Sequence, residues 1–238
     1  MRRWILLLVM IAIPAMSVQA QEPARASRGA RYVILIRHGM YDRDSTVDEK
    51  TGNGLNPLGR EQARLAGERL RALPVRIGSL VSSDLLRARE SAAIIGGVLG
   101  MKPHADSLLS ECSPAFDRDR DSSAARRAEI EASEKQLAAA WGRYMRPAEG
   151  PDTYDVLVCH GNVTRWWVCR ALGVDTRRWR SMDIGNGSLS VVAVRPDTTV
   201  RLMMFSDVGH IPVDRQTWTG RGPGWSGVAP APAGARGR

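Results

Sequence analysis

The sequence predicts an α/β domain, a three-layer α/β/α sandwich with a mainly parallel central sheet. Short apolar runs rich in β-branched residues, at 32–36, 77–81 and 155–159, alternate with longer stretches of helical pattern. Apolar runs without period-two alternation are typical of strands covered on both faces, and their alternation with helices is typical of parallel sheets. A third observation is that two of these runs lead into His-Gly, at His38-Gly39 and His160-Gly161.

The predicted elements follow one another along the chain. Asn56 predicts the N-cap of a first helix, with proline at the first helical position, an apolar stripe behind it and Pro74 as the stop. A second helix is expected to be capped within 82–84, to end at Gly100 and to carry Arg87 in its first turn. The remaining predictions are an amphipathic helix over 122–145, a helix over 163–172 capped by Gly173, and strands at 188–194 and 200–205 joined by a hairpin turn.

Residues 1–20 have the pattern of an export signal, or signal peptide. Arg2 and Arg3 precede an apolar segment that Pro14 interrupts, and Val18-Gln19-Ala20 is typical of a cleavage site. A bilayer span needs about 20 apolar residues, so we favour cleavage, with no stable membrane insertion afterwards, over an uncleaved anchor helix. The sequence therefore predicts an exported protein, periplasmic or secreted.

The folded domain is predicted to span 31–215, between a linker at 21–30 and a disordered basic Gly/Pro/Ala tail at 216–238. The formal net charge is +9, of which two arginines belong to the signal and three to the tail, leaving +4 over 21–215. Such a modest excess does not indicate a nucleic-acid partner, and it is compatible with anionic ligands. Three cysteines are too few for a disulfide framework and have no metal-ligand spacing.

The two His-Gly pairs carry the prediction of a site. Ligands of open α/β sheets bind at the carboxyl ends of the strands, so His38 and His160 are expected to meet there. Arg37 and Arg87 add planar cations that suit phosphate, Arg87 at a helix N-terminus that already favours anions. The chain has no His-x-His, HExxH or CxxC motif, and neighbouring arginines would repel a cation. The sequence therefore predicts a phosphate site with no metal or other cofactor.

These residues resemble a known family. Arg37-His38-Gly39 after an apolar strand, the later His160-Gly161 and Ser82-Ser83-x-x-x-Arg87 are similar to the motifs of the histidine phosphatase superfamily, or phosphoglycerate-mutase-like fold. The similarity extends over about residues 31–212. It is greatest with the mitochondrial serine/threonine protein phosphatase branch, in Leu58-Gly59-Arg60-Glu61-Gln62-Ala63, Arg170-Ala171-Leu172 and Asn186-Gly187-Ser188.

The resemblance implies roles for the pocket residues. His38 would attack phosphorus and form a phosphohistidine, while Arg37, Arg87 and His160 would hold the phosphoryl oxygens. An acidic residue follows the second helix in the family, and Glu111 stands at that place, so its implied role is general acid and then base for water.

Three further positions bear on the site. Asp106 is the nearest substitute for Glu111 as the acid. Asn56 stands where the family has threonine before Pro-Leu-Gly, and we include it among the substrate-binding residues. Cys112 stands where the protein phosphatase branch has glycine. His104 and His210 match no motif and are expected to be exposed to solvent.

The predicted function is a metal-independent phosphatase for phosphate monoesters, with phosphoserine and phosphothreonine proteins as the implied substrates. A broad small-molecule phosphomonoesterase is the first alternative. A mutase is less favoured, because an exported protein lies away from glycolytic intermediates and the chain after His38 lacks substrate-gripping insertions. A non-catalytic phosphate or phosphopeptide binding module is also less favoured, because binding alone needs no nucleophile.

Overall fold

The computed structural model describes residues 28–48, 51–220 and 222–224 of the chain. Its sheet has the strand order β3-β2-β4-β1-β5-β6. Strands β3, β2, β4 and β1 are parallel, and β5 is antiparallel to both of its neighbours. This confirms a mainly parallel sheet, although the two-residue strand β3 was not predicted. The strands are β1 (Arg31–Arg37), β2 (Ser79–Ser82), β3 (His104–Ala105), β4 (Thr153–Cys159), β5 (Leu189–Val194) and β6 (Val200–Asp207).

Four α-helices cover the two faces of this sheet. Along β1, Val33 and Leu35 pack with helices α3 and α4, whereas Ile34 and Ile36 pack with α1 and α2. Because both faces of the strand are buried, the apolar run shows no alternation with polar residues. The three-layer α/β/α architecture is thereby confirmed. The helices are α1 (Pro57–Arg71), α2 (Leu86–Leu99), α3 (Ala124–Tyr144) and α4 (Gly161–Ala171).

The start of α1 and the end of α2 agree with the sequence. Asn56 is the N-cap of α1, and its side-chain oxygen accepts the Gly59 N–H. Helix α1 ends at Arg71, before Pro74, so the proline does not itself stop the helix. Helix α2 ends at Gly100, which adopts the left-handed conformation that favours glycine at this position.

The start of α2 differs from the prediction. The N-cap of α2 is Leu85, which makes no side-chain capping bond, and none of residues 82–84 takes that position. The hydroxyl of Ser83 instead accepts the Leu85 N–H and bonds to the His160 ring. Ser83 is therefore committed to the end of β4 as well as to the start of α2.

Helix α4 begins earlier than its apolar pattern indicated. It starts at Gly161, with His160 in extended conformation as the N-cap, and ends at Ala171. The His160 ring consequently lies at a helix N-terminus, where free N–H groups and the helix dipole favour an anion. The hairpin of β5 and β6 is confirmed by their antiparallel pairing around the 195–199 turn.

The boundaries of the predicted domain need two adjustments. The carbonyls of Gly29 and Ala30, assigned to the linker, accept the N–H groups of Ala148 and Thr153. At the other end, residues 216–220 were assigned to the disordered tail, but Gln216 and Thr217 are buried. Composition missed this because hydrogen bonds, such as the one from the Gln216 amide to the Ile211 carbonyl, hold the segment on the domain. Residues 1–20, the predicted signal peptide, lie outside the described residues.

Within the described ranges, no helix is both long and apolar enough to cross a membrane.

Candidate active site

His38 follows β1 and is almost fully buried. Its Nδ1 lies 2.7 Å from the carbonyl oxygen of Gly39, and its Nε2 lies 3.2 Å from Nε of Arg87. A carbonyl can only accept, so Nδ1 carries the proton, and the arginine can only donate, so the Nε2 lone pair is free of a proton. Burial and the charges of Arg37 and Arg87 hold the pKa of His38 well below its usual 6.5. The ring is therefore neutral, with its Nε2 lone pair facing Arg87.

His160 follows β4, the strand that pairs with β1 in parallel, and its ring centroid lies 5.1 Å from that of His38. The sequence prediction that the two strand ends meet is confirmed. The His160 Nε2 is 2.8 Å from the hydroxyl of Ser83, and its buried Nδ1 has no hydrogen-bond partner among the residues that the structure describes. Burial, then the His38, Arg87 and Arg37 groups, hold the pKa of His160 well below 6.5, so this ring is neutral as well.

Two arginines border the same rings. Arg37 Nη1 donates to the Ile184 carbonyl at 2.6 Å, while its buried Nε has no hydrogen-bond partner in the described part of the chain. Burial lowers the pKa of Arg37 to about 10, which still leaves the group charged at neutral pH. Arg87 is buried in the first turn of α2, where its guanidinium also lies 4.9 Å from the centre of the Tyr41 ring. Both cations lie where the sequence placed them.

Glu111 joins these four residues from outside the sheet. Burial raises its pKa above 4.5, against the opposing charges of Arg87, Arg37 and Arg165, which lie close enough to act on it. Its Oε1 is buried, and no residue within the described ranges forms a hydrogen bond with it. We call the site bordered by Arg37, His38, Arg87, Glu111 and His160 the histidine pocket. The pocket residues include three buried polar atoms that have no hydrogen-bond partner among the described residues, one each on Arg37, Glu111 and His160.

Asp106, the substitute acid, is committed elsewhere. Its Oδ2 accepts hydrogen bonds from Arg143 and Tyr144, and its Oδ1 accepts the Leu108 N–H as the N-cap of a 3₁₀ helix, Ser107–Leu109. These bonds outweigh the effect of burial and lower the pKa of Asp106. A carboxylate held ionised in this way has no proton to give, so the geometry favours Glu111.

Asn56 lies beside the pocket as a structural side chain. Its Oδ1 caps α1 through Gly59, and its Nδ2 donates to Asp42 at 2.9 Å. Both polar atoms are thus engaged with the protein. The substrate-binding role given to Asn56 stays a prediction.

The glycines after the two histidines serve different contacts. A Cβ on Gly39 would lie 2.2 Å from the Gly59 carbonyl oxygen, so this glycine is needed for packing against α1 and not for approach to a ligand. A Cβ on Gly161 would lie 3.6 Å from Arg37 Nε and 3.3 Å from the Ile184 side chain. Neither glycine therefore has open space at its Cβ position, although the contacts at Gly161 are with side chains and those at Gly39 are with backbone.

Several residues of the site were not found from the sequence. Ser83 appeared only as a capping candidate, although it orients His160. Gln62 is fully buried in α1 and accepts the Met40 N–H next to the His38 loop, while Asn186 donates to the His38 carbonyl. Gln62 could have been noticed, because it interrupts the otherwise apolar stripe of α1.

The remaining histidines and cysteines lie apart from the chemistry. His104 is exposed, as predicted, but His210 is half-buried and bonds through Nε2 to the Gly187 carbonyl, so its predicted exposure is wrong. Burial raises the pKa of Cys112 and of Cys159 to about 12, so these thiols stay protonated. In the part of the chain that the structure describes, no group of three or more His, Cys, Asp or Glu side chains could hold a metal ion.

Comparison with known proteins agrees with this geometry. The family model of the histidine phosphatase superfamily (branch 1) matches residues 33–156 and 113–206. The mitochondrial serine/threonine-protein phosphatase PGAM5 of Xenopus tropicalis is 33% identical over 192 residues, which cover 79% of this chain and 68% of that protein. The chain therefore belongs to the histidine phosphatase superfamily. Its similarity to PGAM5 phosphatases makes it a phosphatase within that superfamily.

Solved structures share the fold. A phosphoglycerate mutase from Plasmodium falciparum superposes with a TM-score of 0.55 at 24% identity, covering 77% of this chain and 95% of that one. A mycobacterial glucosyl-3-phosphoglycerate phosphatase in complex with inorganic phosphate gives the same TM-score and identity, covering 76% of this chain and 100% of that one. Because one is a mutase and the other a phosphatase, the fold alone does not separate the two activities.

Proposed function

We propose that this protein hydrolyses phosphate monoesters without a metal, through a phosphohistidine intermediate on His38. The observation that carries the proposal is the protonation of His38, whose Nδ1–H is fixed on the Gly39 carbonyl while its Nε2 lone pair lies among cations. Arg37 and Arg87 supply the positive charge that phosphoryl transfer needs. A module that only binds phosphate would need neither a free imidazole lone pair nor a buried carboxyl group whose pKa is raised.

In the first step the Nε2 lone pair of His38 forms a bond to phosphorus as the bond between phosphorus and the leaving oxygen breaks. Glu111 gives its carboxyl proton to that oxygen, so the alcohol departs neutral. Arg87 moves its hydrogen bond from His38 to a phosphoryl oxygen, and Arg37 Nε and His160 Nδ1 supply two further donors. The imidazolium that forms on His38 keeps its Nδ1–H on the Gly39 carbonyl, which stabilises its positive charge.

In the second step water replaces the alcohol. The Glu111 carboxylate, left ionised by the first step, takes a proton from water while the water oxygen attacks phosphorus. The bond between phosphorus and His38 Nε2 breaks, and its electron pair returns to the ring. Inorganic phosphate leaves, and His38 is neutral and Glu111 protonated as at the start.

For substrates, we propose phosphoserine and phosphothreonine in proteins, supported by the similarity to PGAM5, a serine/threonine-protein phosphatase. A broad small-molecule phosphomonoesterase is the alternative. Rates with a phosphoserine/phosphothreonine peptide panel and with para-nitrophenyl phosphate separate the two. A marked preference for peptides supports a protein phosphatase, whereas equal rates favour the small-molecule activity.

The mechanism is tested by His38→Ala. We expect activity to fall by at least about 10⁴-fold, because the reaction loses its nucleophile. An acid quench of the wild type should leave no phosphoryl group, whereas an alkaline quench should leave one on His38, since phosphohistidine is acid-labile. His104→Ala is the control, because His104 is an exposed histidine on the short strand β3. Unchanged turnover in His38→Ala would disprove the mechanism.

The role of Glu111 is tested by pH. Since burial raises its pKa above 4.5, the carboxyl group keeps its proton at higher pH than an exposed glutamate, and loses it as pH rises through that raised pKa. The lowered pKa of His38 keeps the nucleophile neutral below pH 6.5. We expect phosphorylation of His38 by a phosphoserine peptide to slow as pH rises through the Glu111 pKa. Glu111→Gln should be slow throughout and lack this fall; retention of the fall would exclude Glu111 as the acid.

We also propose that the protein is exported, on the pattern of residues 1–20. N-terminal sequencing of the protein from the cell envelope should then start at or near Gln21. A start at Met1 would support an uncleaved anchor.

A further inference from the structure

Glu111 lies on an irregular part of the chain. Residues 111–116, here called the Glu111 segment, form neither helix nor strand and lead from the 3₁₀ helix toward α3. A general acid must hold its proton within hydrogen-bond reach of the leaving oxygen, so the position of this segment decides whether the carboxyl group can act. The segment has no ladder of backbone hydrogen bonds to fix it. Side chains from other elements take that part.

The first of these side chains is Asn162, in the first turn of α4. Its Nδ2 donates to the Cys112 carbonyl at 2.8 Å, directly after Glu111. Its Oδ1 accepts a hydrogen bond from Nη2 of Arg165, also at 2.8 Å. An arginine nitrogen can only donate, so the side-chain oxygen of Asn162 must face Arg165. Arg165 thereby fixes which way the Asn162 amide points, with its nitrogen toward the Cys112 carbonyl.

The second connection runs through Trp179. The guanidinium carbon of Arg165 lies 4.7 Å from the centre of the Trp179 ring, and the indole N–H donates to the Ala115 carbonyl at 2.9 Å. Arg165 therefore contacts two side chains that hold the Glu111 segment, one at Cys112 and the other at Ala115. Cys112 and Ala115 both lie within four residues of Glu111 in the sequence.

Arg165 is itself rigidly held. Only 5% of it is exposed, its Nε donates to the Gly161 carbonyl at 3.0 Å, and its Nη1 donates to the Met182 carbonyl at 2.9 Å. The planar guanidinium thus joins the N-terminal turn of α4, which carries His160, to the Glu111 segment. A lysine ammonium could not make these three directed bonds and the ring contact together.

We propose that Arg165 is a positioning residue, which acts through Asn162 and Trp179 to hold the Glu111 carboxyl group toward the leaving oxygen of the substrate. This inference rests on the proposed function. Arg165 does not touch the phosphoryl group in this arrangement. Its loss should therefore affect protonation of the leaving group more than attack on phosphorus.

That distinction is measurable through the leaving group. A para-nitrophenolate ion departs without a proton, whereas a serine alkoxide requires one, so only the second depends on a well-placed acid. The measurement is the single-turnover rate of phosphohistidine formation on His38, by rapid alkaline quench, with para-nitrophenyl phosphate and with a phosphoserine peptide. The ratio of the two rates is compared among variants.

Arg165→Met keeps the apolar stem against Trp179 and removes the charge and the donors. We expect phosphorylation of His38 by the phosphoserine peptide to slow by about 10²-fold, the lower end of a general-acid contribution. Phosphorylation by para-nitrophenyl phosphate should change by less than about 3-fold. Arg170→Met is the matched control, since Arg170 lies on the same helix over the rings of Trp141 and Trp166 and bonds to nothing in the Glu111 segment. It should leave the ratio unchanged.

Asn162→Ala is the second variant and leaves Arg165 in place. It removes the bond to the Cys112 carbonyl together with the oxygen that accepts from Arg165 Nη2. We expect the same selectivity at about 10-fold, because the contact of Arg165 with Trp179 remains. If Arg165→Met does not fold, Asn162→Ala still tests the proposal. Equal losses on both substrates in these variants would overturn the proposal, as would no loss on either.

Glu111→Gln separates this proposal from the proposed function. If it slows the phosphoserine reaction selectively and the Arg165 and Asn162 variants do not, the positioning role is wrong and the mechanism stands. If Glu111→Gln shows no selectivity, Glu111 is not the acid, and both its proposed role and the positioning role of Arg165 are wrong.

Discussion

The histidine pocket and the Glu111 segment are held in place in different ways. His38 and His160 follow β1 and β4, which pair in parallel along their whole length, so the backbone of the sheet sets the distance between the two rings. The Glu111 segment has no such backbone frame. Its carbonyls accept hydrogen bonds from the side chains of Asn162, Trp179 and Arg126. Sheet register thus places the residues that we propose attack phosphorus, and side-chain packing places the carboxyl group that we propose protonates the leaving group.

Of the variants that test this comparison, the one with the largest expected effect on activity lies in the histidine pocket. Arg87→Ala removes a buried donor that lies at the His38 lone pair, so binding of the phosphoryl group should suffer whatever the leaving group is. We expect kcat/KM to fall by about 10³-fold with both para-nitrophenyl phosphate and a phosphoserine peptide, as for the loss of one donor to a developing charge.

Arg89→Ala is the control for Arg87, because Arg89 is exposed on the same helix. It should retain wild-type kcat/KM. A loss confined to the phosphoserine peptide in Arg87→Ala would mean that Arg87 acts on the leaving group, and the division between pocket and segment would then be wrong.

The second prediction concerns the backbone contact behind His38. A Cβ on Gly59 would lie 1.9 Å from the Met40 carbonyl oxygen, so the start of α1 and the loop after His38 approach as closely as backbone can. Gly59→Ala must push them apart, and we expect a loss of about 3 kcal/mol in the free energy of unfolding, the upper range for overpacking. Urea unfolding measures this value.

Gly97→Ala is the matched control for Gly59. Gly97 lies within α2, and a Cβ there would meet nothing within 4 Å. Alanine should stabilise the protein by roughly 0.5–1 kcal/mol, because it loses less backbone freedom in a helix. If Gly59→Ala behaved like Gly97→Ala, the close approach of α1 to the His38 loop would not exist in solution.

The same comparison explains how much the sequence could predict. The pocket residues Arg37, His38, Arg87 and His160 were predicted because strand ends and helix starts are visible as local patterns, and parallel strands bring their ends together. Glu111 was placed only by resemblance to the family, since an isolated glutamate after a helix has no local pattern of its own. The resemblance already preferred Glu111 to Asp106, and the hydrogen bonds that Arg143 and Tyr144 donate to Asp106 favour the same choice.

The residues that hold Glu111 were beyond sequence reasoning for the same reason. Arg165 lies in an apolar helix and is buried, but by composition a single arginine is expected at the surface. Its partners are distant in the chain: Cys112 is reached through Asn162, and Trp179 lies in the 3₁₀ helix Thr176–Ser181. Strand β3 was missed because a two-residue strand has too few residues for any periodicity to show.

The prediction with the smallest expected effect tests whether the position of Glu111 depends on the contacts from α4 alone. Arg126, at the start of α3, contacts the segment from a different helix than Arg165 does. Its Nη1 and Nη2 donate to the Ser113 and Pro114 carbonyls at 2.7 and 3.1 Å, and its Nε forms an ion pair with Asp119 at 2.7 Å. Arg126→Ala removes these bonds and leaves Arg165 and Asn162 untouched.

We expect Arg126→Ala to lower the free energy of unfolding by about 1.5–3 kcal/mol, the usual range for hydrogen bonds to a charged group. Selective loss with the phosphoserine peptide should be no more than about 3-fold, because Cys112, next to Glu111, is still held by Asn162. Arg127→Ala is the control, since Arg127 is the next residue on α3 and is exposed. A selective loss as large as that of Arg165→Met would show that residues of both helices position the Glu111 carboxyl group, so that α3 contributes to its position as much as α4 does.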